Sequence, residues 1–104
     1  MDIQFHGHQA EITDSLRLKA KEGVQKLIEH LGRPVDADVW VSEDGVKKTV
    51  ELVLHAPRYD KLVAKSEGKY HDPALTDAIA KLDAQIRRLK AAKKKQVHEA
   101  ELRA

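Results

Sequence analysis

The strongest constraint on the fold is a change of spacing between apolar residues along the chain. In four short segments they alternate with polar residues, which is the pattern of half-buried β-strands. In two longer segments they recur every three or four residues, as in helices with one buried face. The segments occur in the order β-α-β-β-β-α, and each helix has a single apolar stripe that needs a cover. We therefore predict a two-layer α+β fold, a four-stranded sheet with both helices on one face.

Each predicted strand directs its apolar residues to one side. The first strand is short, with Ile3 and Phe5 on its inner face. The inner residues of the next three strands are, in order, Val35, Ala37, Val39 and Val41; Lys48, Val50, Leu52 and Leu54; and Leu62, Ala64 and Ser66. Asp44-Gly45 supplies the residues that a tight hairpin turn needs between the second and third strands. The last three strands then form a meander, and we expect the first strand to pair beside the second.

The first helix is predicted to end at Leu31. Thr13 suits the N-cap position because its hydroxyl can accept a hydrogen bond from the first turn. Gly32 can adopt the left-handed conformation that ends a helix. The apolar stripe consists of Leu16, Ala20, Val24, Leu27, Ile28 and Leu31.

The second helix is predicted to begin at Asp72, an N-cap residue followed by Pro73 in the first helical position. Its apolar seam ends at Leu89, but helix-favouring residues continue past this point. We expect residues 1–95 to form one domain and residues 96–104 to form a flexible tail.

Basic residues are concentrated at the end of the chain. The net charge is +2, yet residues 1–80 contain 11 Lys or Arg against 14 Asp or Glu, whereas residues 81–104 contain 8 against 3. A mildly acidic chain with a strongly basic last quarter predicts a polyanionic partner.

These basic residues occur at helical spacing. On the second helix they form two rows beside the apolar seam, with Lys81, Arg88 and Lys95 in one row, Arg87, Lys90 and Lys94 in the other, and Lys93 just beyond the seam. Lys19 and Lys26 lie along one flank of the first helix. Rows of cations at fixed spacing suit nucleic-acid phosphates, and the alternative interpretation is a solvated helix end.

The chain lacks cysteine, which excludes disulfide bonds, thiol nucleophiles and zinc–thiolate sites. Nucleophile-elbow and glycine-rich phosphate-loop motifs are also missing, so we expect no catalytic residue and no cofactor. His6 and His8, with Asp2, could share a face and bind a metal. A metal site needs three or four converging ligands, however, and Gly7 is expected to end the strand, so we predict no metal site.

Membrane and export signals are not apparent in the sequence. No apolar run is long enough for a membrane span, and the N-terminus does not match the plan of a signal peptide. We therefore expect a cytoplasmic protein.

Trp40 is the single tryptophan and is predicted on the polar face of the second strand. It could stack on a nucleic-acid base or contact a partner. Alternatively, it covers the open sheet together with Val53 and Val63, and we favour this second interpretation.

Two groups of short motifs resemble a known family. The first group is Met1-Asp2-Ile3-Gln4-Phe5, Gly7-His8, Glu11-Ile12-Thr13, Leu16-Arg17 and Lys26-Leu27, and the second is Ala74-Leu75, Lys81-Leu82, Gln85-Ile86 and Arg87-Arg88-Leu89-Lys90. Their joint order and spacing over about residues 1–95 resemble the ribosome hibernation promoting factor family, whose members are also called ribosome-associated translation inhibitors.

The resemblance implies a fold similar to a double-stranded-RNA-binding domain with an added strand. It implies binding to the small ribosomal subunit at the decoding region of 16S rRNA, where mRNA and the A- and P-site tRNAs bind. The expected consequence is inhibited translation in starvation or stationary phase, through stabilised inactive ribosomes or through their dimerisation. The resemblance further implies no enzymatic activity, no small-molecule substrate and a monomer away from the ribosome. The chain ends at Ala104 and so resembles the short form of the family.

The resemblance also carries individual residues over to this chain. It matches Lys26, Lys81, Gln85, Arg88 and Lys90 to basic or polar positions of the family's two helices. Together with the basic rows, the predicted rRNA-binding residues are Lys19, Lys26, Lys81, Gln85, Arg87, Arg88, Lys90, Lys93, Lys94 and Lys95. The sequence departs from the family at Gly23 and Ala84, where Lys or Arg is usual. The alternative function is a general RNA-binding module or a basic protein-interaction domain.

Overall fold

Two helices cover one face of a four-stranded sheet in the computed structural model. It describes residues 2–32, 35–56 and 60–103, with the side chains of residues 60 and 92–103 excepted. The elements are β1 (Ile3–His8), α1 (Asp14–Leu31), β2 (Asp36–Asp44), β3 (Lys47–Ala56), β4 (Asp60–Gly68) and α2 (His71–Arg103). The predicted α+β class and the order β-α-β-β-β-α are confirmed.

The strands lie in the order β1-β2-β3-β4 across the sheet. The predicted place of β1 beside β2 is confirmed. This pair is parallel, with Ile3 opposite Ala37, whereas β2–β3 and β3–β4 are antiparallel. A parallel neighbour needs a crossover connection, which α1 provides. The β2–β3 hairpin turns at Gly45, whose φ of 62° lies in the left-handed region.

The core forms between the two helices and the inner face of the sheet. The predicted inward residues of β2, β3 and β4 are buried except Lys48, which is half-buried, while Ile3 and Phe5 of β1 are partly buried against them. The largest fully buried side chains are those of Leu27, Leu52, Leu54, Leu75, Leu82 and Ile86. Ser66 is buried as well, and its hydroxyl donates a hydrogen bond to Asp77 on α2.

The ends of α1 are as predicted. The Thr13 hydroxyl accepts a hydrogen bond of 3.1 Å from the Leu16 N–H. Gly32 has a φ of 78°, and its N–H donates to the last turn of the helix.

The start of α2 differs from the prediction, since the first helical residue lies two positions before Pro73. The helix begins at His71, so Asp72 lies in its first turn instead of at the N-cap. Pro73 still falls within the first turn, where its missing N–H costs no intrahelical hydrogen bond. The His71 ring lies 2.9 Å from the Ser42 carbonyl oxygen, which ties the helix start to β2.

α2 is longer than its apolar seam. At 1.5 Å per residue its 33 residues span about 50 Å, most of the 57 Å length of the molecule. Neither described helix is long and apolar enough to cross a membrane. The division into a domain of residues 1–95 and a tail of residues 96–104 stays a prediction, since residue 104 and the side chains after residue 91 lie outside the described part of the chain.

α1 and α2 approach each other closely at Gly23. A Cβ placed on this residue would lie 2.3 Å from Cδ1 and 3.1 Å from Cγ1 of Ile79 on α2. Sequence alone indicates only that glycine weakens a helix by about 1 kcal/mol relative to alanine. The structure adds that the missing side chain leaves room for Ile79, which a larger residue at this position would have to displace.

We expect the effect of Gly23→Ala to depend on Ile79. Helix propensity favours alanine by about 1 kcal/mol, but the new methyl group must displace Ile79 Cδ1. Ile79→Val removes that atom. Gly23→Ala should therefore be more favourable in the Ile79→Val background, by roughly 0.5 kcal/mol or more in the free energy of unfolding. Urea unfolding of both single variants and the double variant measures this difference, and additive effects would contradict the contact.

Candidate nucleic-acid interface

The two helices lie side by side and run in the same direction. Lys19 Nζ lies 3.5 Å from the carbonyl oxygen of Asp72, and His30 Nδ1 lies 2.8 Å from Oδ1 of Asp83. Both contacts join residues 53 positions apart, so the helices keep one register along their contact. The basic residues of both helices therefore lie on the same side of the sheet.

One group of cations borders the groove between the helices. Lys19 and Lys26 lie on the flank of α1 that faces α2, and Arg87 and Lys90 lie on the flank of α2 that faces α1. All four residues are exposed, and 74% of the Arg87 side chain is accessible. We call these four residues the groove cluster.

Asp83 lies within this groove and links its two walls. Its Oδ1 is bound by His30 of α1, and its Oδ2 lies 3.0 Å from Arg87 Nε in an ion pair. The carboxylate thus orients Arg87 and offsets part of its charge, while the guanidinium keeps further N–H donors for a ligand.

A second group lies on the opposite flank of α2, beside the edge strand β4. Lys81 Nζ donates a hydrogen bond of 3.0 Å to the Lys65 carbonyl, and Gln85 Nε2 donates one of 2.8 Å to the Val63 carbonyl. Arg88 lies on the same flank and donates to a carbonyl one turn back on its own helix. We call Lys81, Gln85 and Arg88 the edge cluster. Its first two members hold α2 against the sheet edge as well as presenting polar groups.

Asp77 connects the edge cluster to the core. It accepts a hydrogen bond from the buried Ser66 hydroxyl and lies 3.2 Å from Lys81 Nζ. The hydrogen bond from Ser66, followed by that from Lys81, lowers the pKa of the Asp77 carboxyl below its ordinary value. The carboxylate form is therefore favoured, and it anchors Lys81.

The described side chains of the predicted rRNA-binding residues thus lie on one side of the sheet but in two groups. The groove cluster and the edge cluster contain Lys19, Lys26, Arg87 and Lys90, and Lys81, Gln85 and Arg88, respectively. Lys93, Lys94 and Lys95 lie outside the described side chains. A surface with cations on both flanks of one helix can contact phosphates along two lines rather than at a single point.

The face of the sheet opposite the helices, which we call the open face, contains a cluster of polar residues that was not predicted. Asp38 of β2 binds His6 Nε2 of β1 through Oδ1 at 2.8 Å, and His55 Nε2 of β3 through Oδ2 at 2.7 Å. These two hydrogen bonds, that from His6 first, lower the pKa of the Asp38 carboxyl. The His6 ring also stacks on Trp40, with ring centroids 4.0 Å apart.

This geometry gives no support to the metal alternative raised by His6, His8 and Asp2. His6 is bound to Asp38, and the Asp2 N–H donates to Asp36. Within the described residues, no three His, Asp or Glu side chains are placed to share a metal ion.

Asp83 and Asp38 were absent from the predicted site, for different reasons. Asp83 and Arg87 are four residues apart on one helix, a spacing that by itself predicts an ion pair. The partners of Asp38 lie 32 and 17 positions away in the chain, so only the register of three strands brings them together.

The chain is similar to ribosome-associated proteins. Residues 3–94 match the family model described as Sigma 54 modulation protein / S30EA ribosomal protein. A ribosome hibernation promoting factor from Azotobacter vinelandii is 29% identical over 86 residues, which cover 83% of this chain and 79% of that protein.

Two solved structures have the same fold. The N-terminal domain of Thermus thermophilus Protein Y superposes with a TM-score of 0.77 at 24% identity, covering 86% of this chain and 99% of that one. A ribosomal subunit interface protein from Coxiella burnetii superposes with a TM-score of 0.75 at 20% identity, covering 88% and 99%. At these identities the superpositions establish only the fold. The family match covers all four strands, α1, and α2 as far as residue 94.

We expect Asp38→Asn to lower stability in a pH-dependent way. Because the pKa of Asp38 is lowered on folding, its carboxylate stabilises the fold above the unfolded pKa, and this contribution is lost as the pH falls through the folded value. The variant should therefore have a lower free energy of unfolding than the wild type at pH 7, and the difference should shrink below about pH 4. Urea unfolding between pH 3 and pH 7 measures it. As a control, Asp38→Asn should have a smaller effect when His6 and His55 are already alanine, and an unchanged effect there would contradict the assignment.

Proposed function

The chain belongs to the Sigma 54 modulation protein / S30EA ribosomal protein family, whose members are non-enzymatic ribosome-associated factors, and we propose that its helical side binds the small ribosomal subunit. The target of this proposal is 16S rRNA at the decoding region, where mRNA and the A- and P-site tRNAs bind. Occupation of that region inhibits translation and either stabilises inactive ribosomes or promotes their dimerisation under stress. The protein acts in the cytoplasm and is monomeric away from the ribosome.

The observation that carries this proposal is that the described basic residues of both helices lie on the same side of the sheet. The groove cluster and the edge cluster lie on both flanks of α2, and the register between the helices is held by His30 with Asp83. Folded RNA presents phosphates at fixed separations, so a rigid arrangement of cations on two helices complements it better than mobile side chains would.

Inhibition by this route requires no bond to form or break. Lys and Arg that neutralise phosphates release the counterions around rRNA, which supplies much of the binding free energy. A domain bound in this way excludes mRNA and tRNA by occupying their volume and their phosphate-binding surroundings. The helices supply the charge, and the sheet keeps them rigid.

We expect reversal of Arg87, Arg88 and Lys90 to glutamate to abolish binding to the small subunit. These three exposed residues belong to the two clusters and lie outside the buried seam, so the fold should be retained. The matched control reverses Lys47, Lys61 and Lys69, which are exposed on β3, on β4 and between β4 and α2, outside both clusters, and changes the net charge by the same amount. Cosedimentation with purified small subunits measures binding, and far-UV circular dichroism checks the fold. Equal losses in both variants, or retained cosedimentation of the first, would contradict the proposal.

We expect the affinity for the subunit to fall steeply with salt. Five helical cations, Lys19, Lys26, Arg87, Arg88 and Lys90, predict a slope of about −4 in a plot of log K against log salt concentration. The variant Arg87→Glu with Arg88→Glu and Lys90→Glu should have a slope smaller by about 2 to 3 in magnitude, if residual binding is measurable. Filter binding between about 50 and 200 mM KCl measures the slope, and a flat response of the wild-type protein would favour a protein-interaction domain instead.

A further inference from the structure

The face of the sheet opposite the helices contains a small cavity beside Trp40. The cavity has a volume of about 160 Å³, and its walls include Trp40, His8, Ser42, Thr49, Glu51 and Lys65. These residues come from all four strands, so the sheet itself fixes the shape of the cavity. The groove cluster and the edge cluster lie on the other side of the sheet, and a role for this cavity does not depend on the function proposed for them.

The indole of Trp40 is supported on one side by other side chains although 45% of the residue is exposed. On one side it stacks on the His6 ring at 4.0 Å with an angle of 15° between the planes. His6 is itself held by Asp38, whose second carboxylate oxygen is bound by His55. His6 does not line the cavity, so the cavity lies against a part of the indole that the stack leaves uncovered.

We propose that this cavity binds one unpaired nucleobase of a single-stranded RNA, stacked on Trp40. An exposed aromatic ring braced from behind is the arrangement on which bases stack, because every base has a flat π-face. A base also carries hydrogen-bond donors and acceptors at its edge. The hydroxyls of Ser42 and Thr49 and the carboxylate of Glu51 can meet them at the wall of the cavity.

The charges of the open face favour a single base rather than a long stretch of backbone. Lys65 at the cavity wall can pair with one phosphate. Its neighbour across the strands is Glu51, and Lys47 on the same face is paired with Glu67. The next exposed cation along β4 on this face is Lys61, four residues or about 13 Å from Lys65, so the described cations do not form a closely spaced row. An aliphatic side chain from a partner protein would fit less well, because it could form no hydrogen bond with the Ser42 and Thr49 hydroxyls at the cavity wall.

The test uses the fluorescence of Trp40, which is the single tryptophan of the chain and therefore reports on this cavity alone. The full-length protein is titrated with a six-nucleotide oligoadenylate and with an abasic ribose-phosphate oligomer of the same length. We expect saturable quenching by oligoadenylate and none by the abasic oligomer. The dissociation constant should change by less than about tenfold between 50 and 200 mM KCl, since one or two phosphates are involved.

The contribution of each residue to binding is measured with variants, by the fluorescence anisotropy of a labelled oligoadenylate. Trp40→Ala should weaken binding roughly 5- to 100-fold, and Trp40→Phe should weaken it less. Thr49→Val removes one hydroxyl at nearly constant shape and should give a smaller loss than Trp40→Ala. Thermal unfolding of each variant shows whether the fold is retained.

The helical variant Arg87→Glu with Arg88→Glu and Lys90→Glu separates base binding at Trp40 from subunit binding by the helices. It should keep the quenching of Trp40 by oligoadenylate even if it no longer binds the small subunit. Loss of quenching in that variant would assign the RNA contact to the helices and overturn the proposal. No quenching by oligoadenylate, equal quenching by the abasic oligomer, or quenching only by an aromatic peptide would overturn it as well.

Discussion

The packing of α1 against α2 over the sheet is the constraint on which the rest of the structure depends. Each helix has one apolar stripe, and the sheet has one apolar face, so both helices must cover that face. Gly23 allows Ile79 to enter the space between them, and His30 with Asp83 fixes their register. Once the helices are placed in this way, helical spacing alone determines the positions of the groove cluster and the edge cluster.

Much of the fold was predictable because its cause is local. Alternation of apolar and polar residues identified the inner residues of β2, β3 and β4. The N-cap Thr13 and the C-cap Gly32 bound α1 as expected. The resemblance of the short motifs identified the family, which the match over residues 3–94 confirms. The spacing of apolar and polar residues could not predict the register between elements that are distant in the chain. The contact of Asp38 with His6 and His55, and the close approach at Gly23, both depend on it.

The predicted rRNA-binding residues illustrate the same limit. Helical spacing placed Lys81 and Arg88 on one flank of α2 and Arg87 and Lys90 on the other, as the structure does for these described side chains, but it treated the members of a row as equivalent. In the structure Lys81 and Gln85 already donate hydrogen bonds to β4, whereas Arg87 is largely exposed beside Asp83. A side chain that also holds the sheet must give up or share that contact when it binds phosphate, so the residues of the groove cluster are better placed to bind at low cost. Their role in binding stays a prediction.

The hydrogen bonds from Lys81 and Gln85 to β4 have a further consequence for association between copies of the chain. A sheet has two edges, and a filament grows only if both edges can accept a new strand. Here side chains of α2 already bind two carbonyls of one edge, those of Val63 and Lys65 in β4, and the opposite edge is the short strand β1. A strand added at β4 would compete with these two hydrogen bonds, so growth at that edge is disfavoured. The same side chains that present charge on the helix thus hinder polymerisation through the sheet.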